Sequence, residues 1–113
     1  AGVGFYISKL LVQLGCRVII PWREGLKYEA DSAREAIKKA VGPSALVEVS
    51  AKPLDLASFE SVRSFAQDIR EQLAALDLLC LNAGRGASKG DAREVTVDGC
   101  EAVIQTNALS HYL

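Results

Sequence analysis

The chain has 113 residues, half of them hydrophobic, and carries 13 lysines and arginines against 14 aspartates and glutamates. That length suits one small domain with its own core, spanning residues 1–113, and the charge balance supplies no basic field to attract nucleic acid or an anionic membrane surface. No apolar run approaches the roughly 20 residues that cross a bilayer, so no transmembrane segment is expected in this portion. The three cysteines, Cys16, Cys80 and Cys100, lie far apart without a Cys-x-x-Cys pair, which argues against a disulfide framework and a zinc site. They read as reduced, mostly buried thiols in a reducing compartment, Cys80 above all because it sits within Leu78-Leu79-Cys80-Leu81. The first residue is Ala1 and no methionine occurs, so any targeting peptide is expected upstream.

From Val3 to Leu14 the residues Ile7, Leu10, Leu11 and Leu14 recur at helical spacing, and Gly15 follows as a stop. Arg17-Val18-Ile19-Ile20-Pro21 is a β-branched run of strand length, apolar as a parallel strand covered on both faces should be. About Ala30 to Val41 is rich in Ala, Glu and Lys and closes on Gly42-Pro43, predicting a helix, and Ala45 to Val49 returns to strand character. Ser58 can cap a helix in which Phe59, Val62, Phe65, Ala66, Ile69 and Leu73 share one face, through about Ala75. Leu76 to Leu81 predicts another continuous apolar strand, ended by Asn82-Ala83-Gly84. A polar loop through Arg85 to Lys89 and Gly90 leads to a last helix from about Gly99, still running at Leu113. Strands alternating with helices and no hairpin turns predict an α/β fold with a parallel, doubly wound sheet.

Taken singly, the polar candidates read modestly. Gly2-Val3-Gly4 stands at the mouth of the first helix, where backbone N–H groups and the helix dipole favour a phosphate. Two glycines before a helix are also an ordinary turn, and the full dinucleotide fingerprint needs a preceding strand and a further glycine, neither of which the chain contains. By residue type alone Arg23 is a solvated arginine at a strand end, Asp55 a turn or helix-entry aspartate, and Asn107 a polar packing residue or helix kink. His111 has no second ligand at metal spacing, so a packed structural role is expected and no metal.

Read together, Gly2-Val3-Gly4, Gly15, Val18-Ile19-Ile20, Arg23, Asp55-Leu56, Asn82-Ala83-Gly84 and Asn107 match in order and spacing the first half of the short-chain dehydrogenase/reductase family. The chain resembles most the branch of retinol dehydrogenases and light-dependent protochlorophyllide reductases, through the blocks Leu54–Arg63, Asp98–Glu101 and Asn107–Leu113. The resemblance implies a partial Rossmann-type dinucleotide-binding domain. Gly2 and Gly4 would be the last two glycines of the family's Thr-Gly-x-x-x-Gly-x-Gly loop, whose Thr-Gly opening is absent, with Val3 presenting backbone to the pyrophosphate. Trp22 takes the place of the acid used by NAD-preferring members, and Arg23 matches the arginine that holds the 2′-phosphate in NADP-preferring ones. A carboxylate there would repel that phosphate, whereas a guanidinium holds it with charge-assisted bonds, so NADP(H) is the expected cofactor. Asp55 would receive the adenine amino group with Leu56 at the adenine edge. Asn82, Ala83 and Gly84 resemble the end of the Asn-Asn-Ala-Gly motif under the adenine ribose, with Leu81 in place of the first asparagine. Asn107 matches the helix asparagine that anchors a water in the family's proton relay, and Ser110 stands where the branch usually has glycine.

The family's catalytic serine and Tyr-x-x-x-Lys lie downstream of that asparagine, and none of Tyr6, Tyr28 and Tyr112 is followed four residues on by lysine. The first, central strand of the sheet is expected upstream of residue 1, and the sequence reads as an incomplete portion of a longer polypeptide. Two function classes follow. One is part of an NADP(H)-dependent oxidoreductase moving hydride to or from an apolar carbonyl or alkene substrate, in cytoplasm or plastid stroma. The other is a non-catalytic relative serving as a structural subunit of a larger assembly, or in a homo-oligomer.

Overall fold

The computed structural model describes residues 2–86, 90 and 92–113. Ala1 and positions 87–89 of the anticipated polar loop lie outside the described residues, as does position 91. The chain divides into two compact units, Ala1–Pro53 and Leu54–Leu113.

The first unit runs α1 (Val3–Gln13), β1 (Val18–Ile20), α2 (Lys27–Val41), β2 (Val47–Val49). α1 ends as Gly15 predicts: with φ of 88° it follows the C-cap Leu14, its N–H bonds Val12 O at 3.0 Å, and Cys16 N–H bonds Leu11 O at 3.0 Å. These two bonds form a Schellman motif, which needs a residue free to adopt positive φ. α2 begins a turn earlier than its composition suggests, because a bend at Gly25 (φ 78°) with Leu26 N–H on Arg23 O at 2.8 Å delivers Lys27 already helical. β1 and β2 pair in parallel, Val18 opposite Val47, Ile19 opposite Glu48 and Ile20 opposite Val49, so the anticipated strand–helix–strand order is present as a two-stranded sheet. Val12, Ile37 and Val47 are buried, with Phe5, Val18, Ile20, Val41 and Ala45 packed on them. β1 itself is only half-buried, short of the two-sided cover its sequence predicts. Arg17 and Glu48 join the rims of the two strands by an ion pair.

The second unit holds α3 (Phe59–Gln72), α4 (Ala102–Asn107) and a 3-10 turn, Leu109–His111. Ser58 caps α3, its side chain accepting from Ser61 N–H, and the helix stops at Gln72, just short of the expected Ala75. The strand expected at 76–81 does not form. A strand exists through its ladder bonds, and no described segment pairs with this one; Leu76, Leu78, Leu79 and Leu81 are all exposed. Cys80 is therefore exposed, as is Cys16 just past the end of α1, while Cys100 is half-buried, which corrects the expectation of mostly buried thiols. The last helix does not run on to Leu113: it ends at Asn107, and Ala108 (φ −133°, ψ −66°) breaks it before the 3-10 turn.

This unit buries polar as well as apolar side chains: Val62 and Ala102, but also Gln105 and Ser110. Gln105 is fully buried, and its amide is satisfied on both sides. Its Nε2 donates to Asp98 Oδ2 at 2.6 Å and its Oε1 accepts from Thr96 Oγ1. The same Asp98 oxygen accepts the N–H of Phe59 at 2.8 Å, at the first turn of α3. A buried amide left without such partners would cost about 1–3 kcal/mol, so the Thr96–Asp98 turn is fixed by Gln105 as much as by its own backbone.

Candidate functional site

In the first unit the candidate residues fall at the start of α1 and the end of β1. Gly2 is the N-cap of α1 with φ of 129°, and its carbonyl accepts from Phe5 N–H at 3.1 Å and Tyr6 N–H at 3.4 Å. Val3 and Gly4 fill the first turn; their amides have no partner among the described residues, as the first N–H groups of any helix have none within it. An ideal Cβ on Gly2 would meet no described atom within 4 Å, so it is the positive φ that demands glycine. No acid occupies the first turn of α1 to compete for the positive end of its dipole.

Past β1, Trp22 is turned onto the sheet edge by a 2.9 Å bond from its indole Nε1 to Ser50 O. Lys27 Nζ lies 5.9 Å from the centre of the indole ring, within cation–π range. Arg23 is exposed, and its guanidinium makes no ion pair among the described residues. Arg17, by contrast, is held by Glu48.

In the second unit the structure brings Asp55, Leu56, Ala83, Gly84 and Asn107 onto one set of contacts. Asp55 N–H donates to Ser61 Oγ at 2.9 Å, and its Oδ1 accepts from Ala57 N–H at 2.9 Å. The turn aspartate expected from residue type is thus present, yet it uses one carboxylate oxygen; Oδ2 accepts no hydrogen bond among the described residues. Leu56 O accepts from Ser110 Oγ at 2.6 Å. Asn82 is exposed, with its N–H on Cys80 O at 3.0 Å. Ala83 O lies 3.0 Å from His111 Nε2, and because a carbonyl only accepts, that nitrogen carries the proton.

Asn107 closes the arrangement. Its Oδ1 accepts from Arg85 N–H at 2.7 Å and its Nδ2 donates to Arg85 O at 2.8 Å. One side-chain amide therefore pairs with both main-chain groups of Arg85, as a neighbouring strand would. The approach is tight: a Cβ built on Gly84 would stand 3.1 Å from Asn107 Oδ1. The backbone does not ask for glycine here, since its φ is not positive; a side chain would instead make the Asn107 amide give by a few tenths of an ångström. The Arg85 guanidinium is held by Glu94 at 2.6 Å, and this hydrogen bond keeps the Glu94 carboxyl below its ordinary range. Glu101 caps α4, accepting from Ile104 N–H at 2.9 Å and Val103 N–H at 3.1 Å, and these two donors lower its carboxyl too.

The sequence profile of the short chain dehydrogenase family matches residues 1–113. The chain belongs to that family. Within it, the chain is 33% identical over 111 residues to a WW domain-containing oxidoreductase of Drosophila melanogaster, which covers 98% of this chain and 26% of that protein. It is 33% identical over 121 residues to human retinol dehydrogenase 14, covering all of this chain and 35% of the relative. To the chloroplastic protochlorophyllide reductase of Chlamydomonas reinhardtii it is 34% identical over 114 residues, covering all of this chain and 27% of the relative. The branch resemblance carried by the Leu54–Arg63 and Asn107–Leu113 blocks thus agrees with named relatives. The chain spans about a third or less of the length of these short-chain dehydrogenases. No helix of the described residues is long and apolar enough to cross a membrane.

Sequence reading missed three features of the second unit: the bond from Ser110 to Leu56, the buried Thr96–Gln105–Asp98 group, and the Glu101 cap. The last had a signal, an acid directly before Ala102-Val103-Ile104. The first two join residues 54 and 7 to 9 positions apart, and no local periodicity encodes them.

Proposed function

We propose that this short-chain dehydrogenase is an NADP(H)-dependent oxidoreductase that moves hydride between the nicotinamide and a carbonyl or alkene carbon of an apolar substrate. The observation that carries the cofactor choice is Arg23: exposed, without a carboxylate partner among the described residues, beside Trp22 where a competing acid would stand. The remaining residues suit the same ligand. The unpartnered amides of Val3 and Gly4, behind the Gly2 turn, favour a pyrophosphate; Asp55 Oδ2 is available to an adenine amino group, with Leu56 at its edge; Asn82, Ala83 and Gly84 offer a side-chain-poor passage for a ribose. A bound nicotinamide supplies the hydride, and this chain's residues bind and orient the nucleotide. Asn107 has one edge of its amide committed to Arg85, so a water of the proton relay would be held at its remaining Nδ2 hydrogen. The apolar substrate rests on the named relatives, a retinol dehydrogenase and a protochlorophyllide reductase.

The test is equilibrium binding of NADPH and NADH to the full-length protein and to Arg23→Ala. Losing a charge-assisted contact of about 1.5–3 kcal/mol predicts roughly 10- to 100-fold weaker NADPH binding, with NADH changed by no more than about twofold. Tighter binding of NADH than NADPH by the unmodified protein would overturn the assignment of Arg23. Binding of neither dinucleotide would favour the non-catalytic subunit.

A further inference from the structure

Among the described residues, one short stretch, the end of α4 and the 3-10 turn after it, makes side-chain hydrogen bonds to both candidate nucleotide loops of the second unit. Asn107 binds the backbone of Arg85, His111 binds Ala83 O, and Ser110 binds Leu56 O. The first two hold the 82–85 loop and the third holds the 54–57 loop. The contacts differ in reach. Within the 54–57 loop, Asp55 and Ala57 are fixed by near neighbours, Ser61 Oγ and Asp55 Oδ1. Leu56 is fixed by Ser110 alone, 54 residues away, through a buried hydroxyl with a 2.6 Å bond.

We infer that Ser110 is a positioning residue for the adenine end of the cofactor: by donating to Leu56 O it sets the loop that carries Asp55 Oδ2 in register with the 82–85 loop. The inference rests on the nucleotide reading above. The physics is specific. Ser110 is 3% exposed, so its hydroxyl cannot exchange Leu56 O for water without opening the packing, and a buried acceptor that loses its donor moves to find another. The Leu56 carbonyl shares its peptide unit with the Ala57 N–H that donates to Asp55 Oδ1 at 2.9 Å, so a rotation of that peptide pulls the Asp55 carboxylate with it. Ser110 itself is never in contact with the nucleotide; its effect is transmitted through the loop, and it is confined to ligands that use the adenine.

The experiment compares the full-length protein with Ser110→Ala and Ser110→Cys. Alanine is smaller than serine and cysteine somewhat larger, and neither is a good donor, so a weakening shared by both reports the lost hydrogen bond and not the packing. Three probes are titrated: NADPH, 2′,5′-ADP, which has the adenine end alone, and reduced nicotinamide mononucleotide, which lacks it. Both variants should bind NADPH and 2′,5′-ADP about 5- to 10-fold more weakly, as loss of one buried hydrogen bond predicts, with reduced nicotinamide mononucleotide unchanged within about twofold. Three results overturn the inference: Ser110→Cys binding like the unmodified protein, equal weakening of all three probes, or no weakening while the unmodified protein binds NADPH. An unmodified protein that binds neither NADPH nor 2′,5′-ADP refutes the nucleotide reading itself, and this inference with it. If Ser110→Ala does not fold, the Ser110→Cys titrations decide alone.

Discussion

Gly84 and Asn107 should be coupled so strongly that the sign of one substitution depends on the other residue. A Cβ at position 84 would stand 3.1 Å from Asn107 Oδ1 and 3.4 Å from its Cγ, where ordinary contact begins at 3.4 Å. The amide must retreat by about 0.3 Å, away from the Arg85 N–H that it accepts at 2.7 Å, and the paired bond to Arg85 O at 2.8 Å is dragged with it. Each such bond is worth about 0.5–1.5 kcal/mol net, toward the lower end here because Arg85 and Asn107 are exposed and water can replace them. Against this, Gly84 has no positive φ, so alanine restrains the unfolded chain at no backbone cost and gains about 0.4–1 kcal/mol. Gly84→Ala should therefore destabilise the unmodified protein by about 0.5 kcal/mol, and Asn107→Ala alone by about 1 kcal/mol. With Asn107 already replaced, the obstruction is gone and Gly84→Ala should stabilise by about 0.5 kcal/mol, a coupling of roughly 1 kcal/mol. Urea denaturation of the full-length protein, the two single variants and the double variant measures the cycle. Additive effects, or a Gly84→Ala penalty of the same size in both backgrounds, would show that the contact does not hold the loop.

The Arg17–Glu48 pair gives a pH prediction: the hydrogen bond from Arg17 holds the Glu48 carboxyl below its ordinary value of 4.5, so its stabilisation is complete above that pH and is lost as pH falls through the lowered value. Because both side chains are about half exposed, the effect should be small, about twofold in the unfolding equilibrium, and Glu48→Gln should remove that part of the acid slope in denaturation curves taken across the range. Ser58→Ala should destabilise α3 by about 0.5–1 kcal/mol, since the cap bond to Ser61 N–H is long at 3.3 Å; a thermal midpoint unchanged by the substitution would deny the cap a role.

The helices were legible because their signals are local. Ser58 announces the start of α3, Gly15 the end of α1, and Gly42 the end of α2, and each acts within four residues of itself. β1 and β2 were legible for a different reason: both ladder partners lie in the first unit, so the β-branched runs around Ile19 and Val47 could be satisfied by each other. Leu76 to Leu81 carries an equal apolar signal and still forms no strand, because hydrophobicity says that a segment should be covered but not by what. The same limit explains Cys80, whose burial was inferred from neighbours in sequence that are themselves exposed. Gly2, Arg23, Asp55, Asn82 and Asn107 stand out only when their blocks are read as one pattern, and the bonds of Asn107 to Arg85 and of Ser110 to Leu56 are visible only in three dimensions.

Asn107, Ser110 and His111 show how near the sequence comes to the site. They occupy positions i, i+3 and i+4, which would share one face of a continuous helix; α4 ends at Asn107 and the 3-10 turn carries the other two, but a polar face there is written in the chain. What that face meets is not. In most helices a polar stripe means solvent, but here Ser110 is buried and all three side chains bind main-chain groups of loops 22 to 54 residues away. A side chain that binds backbone constrains the partner's conformation without constraining its identity, which leaves Leu56, Ala83 and Arg85 free to differ while their peptide groups stay fixed. The helix break at Ala108 adds to this, because tightening into a 3-10 turn ends α4 where its last side chains reach the two loops. The segment is better understood as the fastener of those loops than as the frayed end of a helix.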